Sequence, residues 1–266
     1  MQQRIAFINP FGTAIYDEII TETLVPYASQ GTNVDVIHIE GAPANIDYFW
    51  SKHLIEVAVL DRVMGVEEQG YDAIVVGCCY DPGVRVAREL VDIPVVGPLE
   101  AAMNMASYFG HDYTVVTDHH KALPYLEDLV RLYGGQGCRG VRCIDWWVTE
   151  MVKDPAAVAK DAAAECLRAL EEDGSEVVIL GCTIIGGCLE RQIRTTGEYG
   201  DLPILNPNLL ALKTAETLAG LYRQGKYTIS RRGYYQKHSQ HDAADFEDIR
   251  RRYRLVELEP EQAPET

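Results

Sequence analysis

The chain has 266 residues, 47% of them hydrophobic, and a formal net charge of −16. That is an ordinary globular composition, and its acidic balance disfavours nucleic acid and anionic membranes as partners, since both attract basic surfaces. Seven cysteines (Cys78, Cys79, Cys138, Cys143, Cys166, Cys182 and Cys188), no signal-peptide pattern at the start and no apolar run of membrane-spanning length predict a cytoplasmic protein with free thiols.

Short β-branched runs alternate with longer helical stretches. Ile5–Ile8 and Asn33–Ile37 read as strands, and Tyr16–Tyr27 and Trp50–Val66 carry helical spacing. Ala73–Val76 and Pro94–Val96 follow as further strands, nearly continuous in apolar character, as expected for strands covered on both faces. A helix over Leu99–Tyr108 comes next. The pattern restarts at Tyr113–Thr117, with a helix over Leu123–Tyr133, a strand near Gly140–Ile144 and a long helix over Pro155–Glu172. Val177–Leu180 is a strand, and Leu209–Arg223 is a helix. From Lys226 the composition changes. Asp242–Arg254 forms one short helix with acids early and arginines late, as the helix dipole favours. Glu257–Thr266 reads as disordered.

Two segments repeat. Ala73-Ile74-Val75-Val76-Gly77-Cys78 is echoed by Val177-Val178-Ile179-Leu180-Gly181-Cys182, and Ile93-Pro94-Val95-Val96-Gly97-Pro98 by Leu202-Pro203-Ile204-Leu205-Asn206-Pro207. Strand–helix alternation with this repeat predicts an α/β fold of two pseudo-symmetric lobes. Each lobe is a short, mostly parallel sheet flanked by helices, with the site in the cleft between them. The expected boundaries are 1–97 plus 208–225 for the first lobe and 98–207 for the second. The helix after each half's last strand is expected to cross to the other half. An arm at 226–266 is expected to pack on a neighbouring subunit, its arginines Arg250–Arg252 and Arg254 pairing with that subunit's carboxylates.

In parallel sheets, ligands bind beyond the carboxyl ends of the strands. Both Gly-Cys pairs stand there. A helix N-terminus beside a cysteine lowers its pKa toward neutrality, so the pair reads as a matched base and acid. A thiolate on one face of a carbon acid removes its proton, and a thiol on the other face returns one with inversion. No metal and no organic cofactor is required.

The chain resembles the aspartate/glutamate racemase superfamily, and within it the hydantoin and allantoin racemase branch. The matching segments are Ile8-Asn9-Pro10, Gly77-Cys78 with Asp81-Pro82-Gly83, Ile93–Gly97 with Glu100-Ala101-Ala102, Thr114–Thr117 and Ile179–Thr183. The resemblance implies Cys78 and Cys182 as the acid/base residues, homo-oligomers and no cofactor. The family's catalytic cysteine stands three before the aspartate of Asp81-Pro82, which selects Cys78 over Cys79. Asn9, Thr13, Cys79, Tyr80, Thr117, Asp118 and Thr183 are the candidate substrate contacts. The chain departs from the family at Asn9-Pro10-Phe11-Gly12-Thr13, at Thr117-Asp118-His119-His120-Lys121 and at Ile184-Ile185-Gly186. These departures concern the substrate. Asp118 with the two histidines matches no recurrent zinc spacing, so no metal is expected.

The function these features predict is cofactor-independent racemisation of a small cyclic ureide, a 5-substituted hydantoin or allantoin-like molecule. Two alternatives are a cysteine-dependent isomerase or decarboxylase of the same superfamily, and a non-enzymatic ligand-binding or redox-sensing protein.

Overall fold

A computed structural model describes residues 2–253. Its first half contains β1 (Gln3–Asn9), α1 (Asp17–Leu24), β2 (Thr32–His38), α2 (Phe49–Glu68), β3 (Ala73–Val76), α3 (Val84–Leu90), β4 (Val95–Val96) and α4 (Pro98–Met105). The second contains β5 (Tyr113–Thr117), α5 (Leu123–Leu132), β6 (Cys138–Cys143), α6 (Val148–Met151), α7 (Pro155–Glu172), β7 (Val177–Leu180), α8 (Thr183–Thr196), β8 (Ile204–Leu205) and α9 (Pro207–Arg223). Two short helices follow, α10 (His238–His241) and α11 (Ala243–Tyr253).

The strands form two four-stranded parallel sheets, ordered β2-β1-β3-β4 and β6-β5-β7-β8. The same order appears twice, and the register repeats with it. Ile8 lies opposite Val76 in the first sheet, and Val116 opposite Leu180 in the second. Side chains of β3 and β7 are buried throughout. Helices on both faces remove every solvated side of these strands, so no polar alternation survives in the sequence.

The halves are interleaved. After β8, α9 returns to pack on β1, β3 and β4 of the first sheet, and against α4. Its start is fixed locally: the Asn206 side chain accepts the Asn208 N–H at 3.1 Å, and Pro207 occupies the first helical position. α1 of the first half packs on α8 of the second.

Some expectations need correction. The stretch over Tyr16–Tyr27 is not one helix. Only Asp17–Leu24 is α-helical, flanked by 3-10 turns at Ala14–Tyr16 and Val25–Tyr27, with Pro26 in the second turn. The arm's described residues fold back on their own chain. Arg231 donates to the carbonyls of Arg88 and Val91 at the end of α3 and to Asp92, and Lys237 also meets Asp92 at 2.7 Å. Within the chain, Arg250 pairs with Glu68 of α2 at 3.1 Å, and Arg252 with Asp248 at 2.6 Å. Arg254 and Glu257–Thr266 lie outside the described residues. Among the described residues, no helix is long and apolar enough to cross a membrane.

Candidate active site

Strands β3 and β7 both end on glycine at the carboxyl edge of their sheets. The Gly77 N–H donates to the Ile8 carbonyl at 2.7 Å, and the Gly181 N–H to the Val116 carbonyl at 2.7 Å. The chain then turns and delivers Cys78 and Cys182. Cys182 is the N-cap of α8, and the N–H groups of Ile185 and Ile184 lie close enough to favour its thiolate. The Tyr80 N–H does the same for Cys78.

The two turns are stitched together by the residue after each cysteine. The Thr183 hydroxyl donates to the Gly77 carbonyl at 3.1 Å. The Cys79 thiol donates to the Leu180 carbonyl at 3.7 Å, in the opposite direction across the pseudo-twofold. Thr183 and Cys79 therefore hold the halves together. Cys78 and Cys182 are both buried, and the charge of the first raises the pKa of the second.

Around them lie groups from every neighbouring strand end. Thr117, at the end of β5, donates to the Gly181 carbonyl at 3.1 Å and to Asp118 at 3.0 Å. Asp118 accepts the His119 N–H at 2.9 Å and the Tyr80 hydroxyl at 3.3 Å. Asn9, at the end of β1, donates its amide N–H to Asp17 at 2.8 Å, and Asp17 in turn meets His38 at 2.7 Å. The amide keeps its oxygen and a second N–H for other partners. Asn9 Oδ1 is buried without a partner in the chain.

Two participants, Tyr16 and Asp47, were not legible beforehand, and they stand beside His119 of the departing loop. Tyr16, Asp47 and the ring of His119 are all buried. Asp47 comes from the loop between β2 and α2, and its Oδ1 lies 3.3 Å from His119 Nε2, within ion-pair distance. His119 stacks on Trp147, with ring centroids 4.4 Å apart. The Tyr16 hydroxyl feels the charges of Asp47 and Cys182. Among the described residues, Asn9 Oδ1, the Tyr16 hydroxyl, both Asp47 oxygens and both His119 ring nitrogens are buried without a hydrogen-bond partner. Native interiors rarely tolerate such a cluster. Ordered water or a polar ligand would satisfy these atoms.

Not every expected residue belongs here. Thr13 is half-buried and its hydroxyl accepts the Ile15 N–H at 3.3 Å, capping the turn before α1. His120 points to the surface and meets Asp145 at 2.7 Å. Asp81 caps α4 from outside that helix, accepting the N–H groups of Leu99 and Glu100 at 3.2 and 3.0 Å. Burial still pushes its carboxyl up to about 7.

With this geometry in hand, the comparisons are decisive. The profile of the Asp/Glu/Hydantoin racemase family matches residues 5–215. The chain belongs to that family. It is 32% identical to a hydantoin racemase of Rhizobium meliloti over 217 residues, 81% of this chain and 88% of the relative. Its fold superposes on an allantoin racemase from Klebsiella pneumoniae with a TM-score of 0.79 and 28% identity, covering 89% of this chain and 94% of that one. An allantoin racemase from Pseudomonas fluorescens gives 0.78 and 31%, covering 88% and 97%. The protein is an isomerase, a racemase of this family.

The electrostatics of this racemase centre reverse one expectation. Burial is the largest influence on Cys78 and raises its pKa, and the charges of Asp118 and Asp81 add to it; the Tyr80 N–H pulls the other way and loses. Cys182 is raised well above the ordinary thiol range by burial and by Asp118, against the N–H groups of Ile185 and Ile184. The helix N-terminus is present, as the Gly-Cys pattern implied. In a closed centre with a carboxylate beside it, desolvation wins. Asp118 itself is raised by burial, against the pull of His119. Burial lowers His119, but the nearby Asp47 and Asp118 outweigh it and raise the ring.

Asp47, Asp118 and His119 offer ligand atoms within 4.8 Å of one another, close enough to hold a cation. Asp118 is already committed to three donors, so a metal would have to displace them.

Proposed function

We propose that this racemase inverts the stereocentre of a small cyclic ureide, using Cys78 and Cys182 as base and acid on opposite faces of the ring. The single observation that supports this reading is the pair of Gly-Cys turns tied to each other by Thr183 and Cys79, with Cys78 and Cys182 both buried beside them.

The thiolate of one cysteine takes the proton from the carbon between ring nitrogen and carbonyl. The electron pair passes onto the carbonyl oxygen, and the carbon becomes planar. The thiol of the other cysteine then delivers its own proton to the opposite face. The enzyme ends with the two sulfurs exchanged in protonation state, so reaction in the reverse direction starts from that form. The elevated thiol pKa values suit a weakly acidic carbon. A more basic thiolate is a stronger base, and the partner stays protonated until it is needed. N–H groups at the start of α8 and at Tyr80 hold the charged sulfur when it forms.

The direct test is to incubate one enantiomer of a 5-substituted hydantoin with the protein in deuterium oxide. Racemisation is expected, with deuterium at the reacting carbon of the inverted product. Inversion without deuterium, or a stable covalent adduct by mass spectrometry, would point to another mechanism.

A pH dependence follows. Both thiols titrate above the ordinary value of about 8.5, so the singly ionised reactive form grows as pH rises. kcat/KM is expected to climb about tenfold per pH unit between roughly pH 7 and 9. A plateau below pH 7 in steady-state rates would contradict the raised thiols.

A further inference from the structure

Inversion through a planar carbon puts negative charge on the carbonyl oxygen, and the site must meet that charge with a donor. The surroundings of Cys78 and Cys182 are already acidic. Asp118 and Asp47 act there, and His119 is drawn to Asp47 at 3.3 Å. Lys52, whose charge reaches Cys78, is paired with Glu56 at 2.6 Å. Most side-chain donors are spent inside the chain. The Thr117 hydroxyl serves Gly181 and Asp118, Thr183 the Gly77 carbonyl, and the Cys79 thiol the Leu180 carbonyl. Asn9 keeps one N–H beyond the one given to Asp17.

Three tyrosines feel the charge of Cys78 or Cys182: Tyr16, Tyr80 and Tyr125. The Tyr80 hydroxyl donates to Asp118 at 3.3 Å, and the Tyr125 hydroxyl to the Tyr80 carbonyl at 3.2 Å. The Tyr16 hydroxyl finds no acceptor among the described residues, although the side chain is fully buried. Its place is set locally. Tyr16 ends the turn over Ala14–Tyr16, which Thr13 caps, and its ring packs on the buried Phe11 with centroids 4.9 Å apart. Burial, then the charges of Asp47 and Cys182, push its phenol well above the ordinary range. It is therefore a neutral donor between roughly pH 7 and 9. A buried donor without an acceptor is costly, and an oxyanion formed beside Cys182 is an acceptor that the reaction itself would bring.

We propose that the Tyr16 hydroxyl is an oxyanion donor of this racemase, hydrogen-bonding the ring carbonyl oxygen as it takes up the electron pair released by the carbon. This rests on the cyclic-ureide reading of the site. It adds the residue that holds the planar intermediate between the two proton transfers. The C–H bond breaks to form S–H at one cysteine, and the pair moves onto oxygen. The pair then returns to carbon as the other thiol gives up its proton. Tyr16 keeps its own proton throughout. The same oxyanion is reached from either enantiomer, so one donor serves both directions.

Ordered water is the competing acceptor. It would make the hydroxyl structural, and losing it would cost stability and leave the chemistry alone.

The test is Tyr16→Phe, which keeps the ring on Phe11 and removes the oxygen. Racemisation of one enantiomer of 5-methylhydantoin is followed by chiral chromatography to give kcat and KM, with thermal unfolding measured alongside. In the variant kcat is expected to fall by about 100-fold or more, with KM little changed. Tm should not drop, because the lost oxygen had no partner in the chain. Tyr16→Phe is also added to Cys78→Ser and to Cys182→Ser, and exchange of the reacting proton is followed in deuterium oxide. Exchange should slow by a similar factor in both backgrounds, since each thiol feeds the same oxyanion. Slowing confined to the background that retains Cys182 would make Tyr16 a support for that sulfur and overturn the proposal. So would an unchanged kcat with a lowered Tm, or a raised KM with kcat intact, which reports ground-state binding. Tyr16→Met, an apolar side chain without a hydroxyl, is read the same way if the Phe variant does not fold. An unmodified enzyme that leaves 5-methylhydantoin unchanged would instead remove the cyclic-ureide reading, and the oxyanion with it.

Discussion

Cys78→Ser and Cys182→Ser are each expected to lower racemisation by about 10³-fold or more, while each variant should still exchange the reacting proton of one enantiomer with solvent. Serine keeps the shape of the side chain and its place at the turn. The hydroxyl, however, is far too weak an acid to be ionised by the N–H groups of Tyr80 or Ile184 and Ile185. The variant keeps one thiol on one face. That thiol can remove and return a proton on its own side, so deuterium enters without inversion. The two variants should therefore label opposite enantiomers, read by proton NMR in deuterium oxide. The double variant should be no worse in racemisation than either single one, because the two sulfurs act as a unit. Cys143→Ser, on the edge strand β6, is the control and should keep its activity. Retention of more than about a tenth of the turnover in both single variants would end the two-thiol mechanism.

The repeat was readable because its physical cause is local. Strands covered on both faces must be apolar at every position, so β3 and β7 print as uninterrupted runs, and the glycine that closes each run marks where the chain leaves the sheet. Thr117 and Asp118 were readable for the same reason, since the end of β5 is fixed by its own pattern. The rest of the site is assembled from places with no period. Asp47 sits in a loop of Gly, Ala, Pro and Asn residues, and nothing within that loop tells that its carboxylate ends beside His119. Tyr16 reads as a helical residue, yet it stands in a turn before α1 with a buried hydroxyl. The sign of the thiol shift was illegible for a deeper reason. The N–H groups that lower a thiol pKa belong to its own segment, whereas burial and, for Cys78, the Asp118 charge depend on how distant segments pack.

Gly77→Ala is expected to destabilise the protein by about 3 kcal/mol, a fall in Tm of roughly 10 °C for a chain of this size. A methyl group there would stand 2.6 Å from Cζ and 2.7 Å from Cδ1 of Phe7, and closer still to Cε1. The ring cannot step aside. Phe7 is 1% exposed and belongs to β1, which is hydrogen-bonded to β2 on one side and β3 on the other. Relief therefore has to come from the turn itself, which carries Cys78 and the carbonyl that accepts from Thr183. A displacement of about 1 Å at the sulfur costs on the order of 100-fold in rate, so activity should fall further than the lost stability alone explains. The equivalent change in the second half is milder. At Gly181 the new methyl would meet Val115, Leu126 and Thr117 at 2.8 to 3.1 Å, mostly flexible side-chain ends. Gly140→Ala on β6 meets nothing within 4 Å and should be neutral or slightly stabilising. Thermal unfolding of the three variants should rank them Gly77, Gly181, Gly140 from most to least damaged. A Gly77→Ala protein that melts with the unmodified one would mean that Phe7 and the Cys78 turn are not packed against each other as described.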